Sequence, residues 1–290
     1  MQLYYYFLFA SFAFALGCCI ASFLNVCIWR LPRDESVVWP PSHCPKCNAR
    51  IRWYQNIPVL SWLALRGRCA NCHEPISVRY TVVELLGGIL FLFAALQWMN
   101  GFFLRVSPPI GMLPLADVRA VPVYWLVFSG LILGSFIDLE HFYLPDRVTI
   151  GGMLLGVPLS FAVPELQGET GRLTALYWSL GGLAAGFFGL WALSWGASKA
   201  LKKEAMGFGD VKLLGAIGAF FGPVAVLFTV IVSSFVGAFV GGLLILRGKA
   251  KLGGFTAVPY GPFLAIGTVV WMFWGPRIVN WYLRLHAIPQ

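Results

Sequence analysis

Residues 124–146 read YWLVFSGLILGSFIDLEHFYLPD, in which an uncharged run over 124–137 leads to Asp138. A second stretch, residues 205–222, reads AMGFGDVKLLGAIGAFFG and sets Asp210 at the entrance of another apolar run. An aspartate costs about 2.5–3.5 kcal/mol at the centre of a membrane span, and carboxylates within or bordering such segments are rare unless paired or at work. Two such carboxylates brought together share a proton and form an acid–base pair. The reading therefore turns on whether the chain can bring them together. The opposing reading makes Asp210 a helix N-cap and gives Asp138 a loop lysine as salt-bridge partner.

Composition sets the solvent. Of the 290 residues 59% are hydrophobic and 11% charged, with a mean hydropathy of +0.76. Soluble domains carry about 25% charged residues. The apolar runs are about 17–25 residues long, which suits helices crossing roughly 30 Å of hydrocarbon. The first run, 3–28, is too long for a signal-peptide core, lacks a basic start, and is expected to be a retained span.

We expect about eight spans: 3–28, 80–103, 121–138, 148–164, 174–196, 210–222, 224–246 and 257–276. The division within 211–246 rests on Gly222-Pro223, since proline cannot extend a helix without losing a hydrogen bond. Eight spans place fifteen basic residues, from Arg30 to Lys251, on one face and five on the other, with Lys212 interfacial. The positive-inside rule makes the richer face cytoplasmic. The net charge of +9 then reflects topology and contact with anionic lipid headgroups, and no nucleic-acid-reading module is present. In this arrangement Asp138 ends the third span, Asp210 begins the sixth, and both lie at the cytoplasmic boundary.

The surroundings of the two aspartates are distinctive. Asp138 opens DLEHFYLPD, and Asp210 closes Gly207-Phe208-Gly209-Asp210, where the glycines permit close backbone approach. Further motifs are Ser22-Phe23-Leu24-Asn25-Val26 before Arg30-Leu31-Pro32, Cys44-Pro45-Lys46-Cys47, Cys69-Ala70-Asn71-Cys72, Arg79-Tyr80 with Val83-Glu84-Leu85-Leu86, and Val211-Lys212 after Asp210. In these pieces and their order the chain resembles the type IV prepilin peptidases, bifunctional membrane aspartyl proteases and N-methyltransferases. It departs at Ala21, where the family usually has glycine, and at Thr81, where proline often follows Arg-Tyr.

The resemblance implies that Asp138 and Asp210 are catalytic, one as base on a water and the other as acid toward the scissile peptide. Asp146, Gly207, Gly209 and Lys212 are the supporting residues, and Glu140 either tunes the pair or is a solvated loop charge. The implied substrate is a prepilin or pseudopilin, whose apolar helix would lie in the bilayer with its leader junction at the cytoplasmic boundary. The resemblance also implies S-adenosylmethionine-dependent methylation of the new N-terminus, linked to the cysteine region. Glu84 is a candidate to bind the amine, with pairing to Arg79 or Arg30 as its alternative.

Cys44-x2-Cys47 and Cys69-x2-Cys72 have close to the spacing of a structural four-cysteine zinc site. On a reducing cytoplasmic face disulfides are not expected. Four thiolates saturate a tetrahedral ion, so this zinc would be structural, in a zinc-ribbon-like loop. His43 and His73 adjoin ligands as bystanders, and Cys18, Cys19 and Cys27 are small apolar residues of the first span.

The expected fold is an all-α polytopic membrane protein of a bacterial inner membrane. Its divisions are a first helix (1–28), a cytoplasmic four-cysteine domain (29–79), a second helix with an external loop (80–120), and a six-helix protease domain (121–290). The alternatives are a proton-coupled transporter using Asp138, Asp210 and Glu84, and a zinc-stabilised assembly scaffold.

Overall fold

The computed structural model describes residues 2–100, 115–202, 206–248 and 258–286. These form helices α1 (Gln2–Arg30), α2 (Leu60–Ala64), α3 (Arg79–Met99), α4 (Ala120–His141), α5 (Asp146–Ala162), α6 (Arg172–Leu201), α7 (Phe208–Leu246) and α8 (Gly261–His286). Beyond short 3₁₀ turns, the only β pairing among the described residues is two isolated bridges in the cysteine loop. Six helices, α1, α3, α4, α6, α7 and α8, are long and apolar enough to cross a membrane. The protein is an all-α polytopic membrane protein.

The chain divides into two compact units. The first holds residues 1–106 and 124–133, and the second 107–123 and 134–290, so α4 contributes to both.

In the first unit α1 lies against α3 with little side chain between them. A Cβ on Gly17 would fall 2.5 Å from the Gly87 carbonyl oxygen, and one on Gly87 would fall 2.5 Å from Ala21 Cβ. Lipid tails are as apolar as leucine, so helices associate in membranes through such close van der Waals contact. Aromatic side chains add specific contacts. Trp125 stacks on Phe91 at 5.1 Å and donates its indole N–H to the Phe91 carbonyl, while Tyr6 donates to Asn100 Oδ1 at 2.9 Å.

The second unit is organised around α7. A straight helix of its 39 residues would reach about 58 Å, nearly twice the hydrocarbon thickness. It is interrupted at Gly222, with φ 82° and ψ 177°, immediately before Pro223. A Cβ on Gly218 would lie 2.9 Å from Val226 Cγ2. A straight helix would hold these positions about 12 Å apart, so the chain bends sharply there. The sequence placed the break at the same dipeptide. Gly222 supplies the left-handed φ that other residues resist. The first half of α7 packs on α5 and α6 through Gly152, Gly156, Gly182 and Gly186, and the second half packs on α8, where Gly267 meets Thr229.

The bend has a cost that neighbouring side chains meet. Pro223 has no N–H, so the Ala219 carbonyl loses its helical donor. Ser179 Oγ donates to it at 2.6 Å, Ser160 Oγ at 2.9 Å and Gln167 Nε2 at 3.1 Å. Donors from α6, α5 and the turn after α5 thus replace one missing backbone bond.

Candidate functional site

Asp138 lies near the end of α4. Phe142 takes a left-handed conformation at φ 56° and returns its N–H to the Asp138 carbonyl at 2.9 Å, which ends the helix. The chain then crosses through Leu144 to Pro145, extended at ψ 135°, and α5 starts at Asp146. The Asp138 side chain is buried, and its Oδ2 accepts the Gly261 N–H at 2.9 Å. No loop lysine reaches it among the described ion pairs. Among the described residues, Asp138 is held by this backbone amide and not by a lysine.

Asp210 sits in the first turn of α7, buried, with its N–H bonded to the Gly207 carbonyl at 3.1 Å. The N-cap of α7 is Gly207, and no side chain caps it, so the N-cap alternative for Asp210 fails. The Asp210 carboxyl lies within electrostatic reach of Asp138. The fold thus brings together two buried carboxylates 72 positions apart, inside one compact unit.

Leu144 wedges the site. It stands 3.2 Å from where a Cβ on Gly134 would be, 3.0 Å from one on Gly209, and 3.3 Å from one on Gly261. Gly209 therefore has an internal reason to lack a side chain: the start of α7 closes on the loop after Asp138. A Cβ on Gly207 would approach Asp210 Oδ2 to 3.4 Å. At the rim Lys212 forms an ion pair with Asp146, which ties α7 to α5, and stands 5.1 Å over the Phe208 ring. Glu140 lies 3.9 Å from His141.

In the first unit the cysteines form two matching knuckles. Cys44 N–H bonds the Ala49 carbonyl at 3.0 Å, and Cys69 N–H bonds that of Glu74 at 2.9 Å. Asn48 and His73, each four residues after the first cysteine, take left-handed φ of 54° and 57°. Facing each other, the knuckles bring all four sulfurs within 4.8 Å. Cys44 and Cys72 Sγ are 3.8 Å apart, and Cys47 and Cys69 Sγ are 4.0 Å apart. Such a cluster can hold a metal ion. The Asn71 side chain donates to Cys47 Sγ and, together with the Ala49 amide and the neighbouring thiols, lowers its pKa to about 6. His43 turns its Nδ1 to the Pro41 carbonyl.

Glu84, buried on α3, accepts the Val59 N–H at 2.7 Å. Val59 has φ 63°, a strained value for a β-branched residue that surroundings must enforce. Arg30 donates to the Ser36 and Pro40 carbonyls, so its guanidinium is engaged away from Glu84. Sequence reasoning missed Gly261, Leu144 and Val59, because a backbone N–H and a packing contact leave no local signal.

Two family models match the chain: the bacterial peptidase A24 N-terminal domain over residues 15–98, and the type IV leader peptidase family over residues 125–242. A prepilin leader peptidase/N-methyltransferase of Myxococcus xanthus is 39% identical over 285 residues, 97% of this chain and 77% of that protein. Proteins of the same description from Aeromonas hydrophila and Stutzerimonas stutzeri are 36% and 35% identical, each over 95% of this chain and 94% of theirs. No solved structure matches. The four-cysteine unit falls within the first match and both aspartates within the second; the chain belongs to the type IV leader peptidase family.

Proposed function

We propose that this protein removes the leader peptide from type IV prepilins or pseudopilins and N-methylates the residue so exposed. The observation that carries the peptidase reading is the buried pair Asp138 and Asp210 in one compact unit, where Leu144 packs on both Gly209, beside Asp210, and Gly261, the Asp138 partner, within the leader-peptidase match. One carboxylate takes a proton from water as the water attacks the scissile carbonyl. The other protonates the leaving amine. Two close carboxylates do not both ionise readily, and that asymmetry divides acid from base. Asp146 and Lys212 brace α5 against α7, Gly207 leaves Asp210 Oδ2 uncrowded, and Gly209 lets the start of α7 close on Leu144.

In this reading eight segments cross the bilayer, with α5 and each half of α7 crossing separately. The basic loops face the cytoplasm of a bacterial inner membrane, which sets the cysteine loop and the aspartates on that side, among anionic headgroups. The substrate is itself an apolar helix and presents its leader junction at the same depth.

The metal of the four-cysteine cluster is zinc in a structural role. A tetrahedral Zn–S length of about 2.3 Å requires sulfurs about 3.8 Å apart, and two sulfur pairs already stand at 3.8 and 4.0 Å. S-adenosylmethionine supplies the methyl group when bound. We assign methyl transfer to the unit that carries the cysteines, with Glu84 Oε1 the candidate acceptor for the substrate amine.

The test is cleavage of a prepilin by purified protein in detergent. Asp138→Asn and Asp210→Asn should each abolish leader removal with the fold intact. Near wild-type cleavage by either variant rejects the pair.

A further inference from the structure

Residues 259–262 read Pro-Tyr-Gly-Pro and start α8. The first N–H groups of a helix have no partner within it. Here Pro262 has none to offer, and the N–H groups of Phe263 and Leu264 both bond the Tyr260 carbonyl, at 3.0 and 3.2 Å. One donor of this first turn remains, the Gly261 N–H, and it points at Asp138 Oδ2, 2.9 Å away and buried. A helix N-terminus favours a carboxylate at this place through its aligned peptide dipoles. Space is as restricted as direction: a Cβ on Gly261 would lie 2.7 Å from Asp138 Oδ2 and 3.3 Å from Leu144 Cδ2.

The turn that presents this amide is itself anchored. The Tyr260 hydroxyl meets the Ser233 hydroxyl at 2.6 Å, and Ser233, fully buried in the second half of α7, donates to the Val230 carbonyl at 3.0 Å. The two prolines narrow the backbone on either side.

We infer that Gly261, held by the Tyr260–Ser233 contact, is the positioning residue of the peptidase reaction: its amide fixes the Asp138 carboxylate and reserves Oδ2 as an acceptor. This rests on Asp138 and Asp210 being the reacting pair. An amide N–H can only donate, so the proton held by the pair resides on Asp138 Oδ1 or on Asp210. The attacking water is then directed to Oδ1. Without the amide, the Asp138 carboxyl could rotate and present either oxygen.

The test is steady-state prepilin cleavage by the full chain in detergent, across pH. Gly261→Ala should lower kcat about 10- to 100-fold, as expected for displacing a reacting group by about 1 Å. KM should stay within about twofold, and one limb of the pH–rate profile should move, which a merely structural defect would not do. Tyr260→Phe and Ser233→Ala should each lower kcat about 3- to 10-fold, and the double variant should be no worse than the weaker single, as for one shared contact. Wild-type kcat in Gly261→Ala, or a loss carried by KM with an unmoved pH profile, overturns the inference. If Gly261→Ala does not fold, unchanged kcat in both Tyr260→Phe and Ser233→Ala overturns it. Asp138→Asn and Asp210→Asn in the same assay separate the two levels. If they cleave, the pair itself is wrong; if they are inactive while Gly261→Ala is normal, only the positioning role fails.

Discussion

Gly181 and Gly182 are neighbours on α6 with opposite surroundings, and replacing each by alanine isolates the close packing that places Asp210. A Cβ on Gly182 would lie 2.2 Å from the Gly218 carbonyl oxygen and 2.6 Å from Gly222 Cα. Both are backbone atoms and cannot swing aside. Ordinary contact begins at 3.4 Å, so α6 and the first half of α7 must part by about 1.2 Å. Overpacking of this kind costs about 1–3 kcal/mol; the lack of any flexible atom puts Gly182→Ala toward the upper end. Gly181 has nothing within 4 Å of a Cβ, and alanine there gains about 0.5–1 kcal/mol in helix propensity. Unfolding midpoints in detergent, followed by tryptophan fluorescence, should therefore differ by roughly 5–10 °C, with Gly182→Ala lower. Because Asp210 rides on the displaced half-helix, prepilin cleavage should fall up to about 100-fold in that variant alone. Equal midpoints for the two variants would refute the claim that this crossing has no spare room.

Purified protein should contain about one zinc per chain by elemental analysis, and Cys44→Ser/Cys47→Ser should contain almost none; a normal metal content in that variant rules out the tetrathiolate site. After metal removal at pH 7, Cys47 should be alkylated rapidly, because Asn71 holds its thiol at about 6 and thiolate predominates above that pH. Asn71→Ala should slow that alkylation, as read by mass spectrometry. Removing both Ser160 and Ser179 hydroxyls leaves the Ala219 carbonyl short of donors, and Ser160→Ala/Ser179→Ala should lose about 1–3 kcal/mol in detergent unfolding. Asp146→Asn breaks an ion pair whose carboxylate side is largely exposed, so stability should change by less than about 1 kcal/mol, and cleavage should fall less than tenfold.

Membrane chemistry explains how much could be read from residues alone. Apolar runs of the right length announce α1, α3, α4 and α6 because a spanning helix must satisfy its own backbone. Gly222-Pro223 announces the bend in α7 because proline removes a donor wherever it falls. Asp138 and Asp210 stand out because charge is rare at such depth. The partners of these features are less legible. Ser160, Gln167 and Ser179 gave no hint of converging on Ala219, which depends on how three separate segments pack. Glu84 showed itself as a buried acid, but its partner Val59 offers only a backbone amide. Gly261 is silent for the same reason: every residue but proline has an N–H, and only the three-dimensional path aims this one at Asp138.

The bond between Asp138 and Gly261 also orders events in time. The amide lies 123 positions after the carboxylate it meets. At about 5–20 residues per second of synthesis, roughly 6–25 s separate their emergence from the ribosome. For the last part of that interval, the stretch from Asp210 to Gly261 that takes about 2.5–10 s at the same rate, both aspartates have been made and the donor for Asp138 has not. Peptide-bond-cutting machinery assembled in this sequence is completed only once the start of α8 has been made.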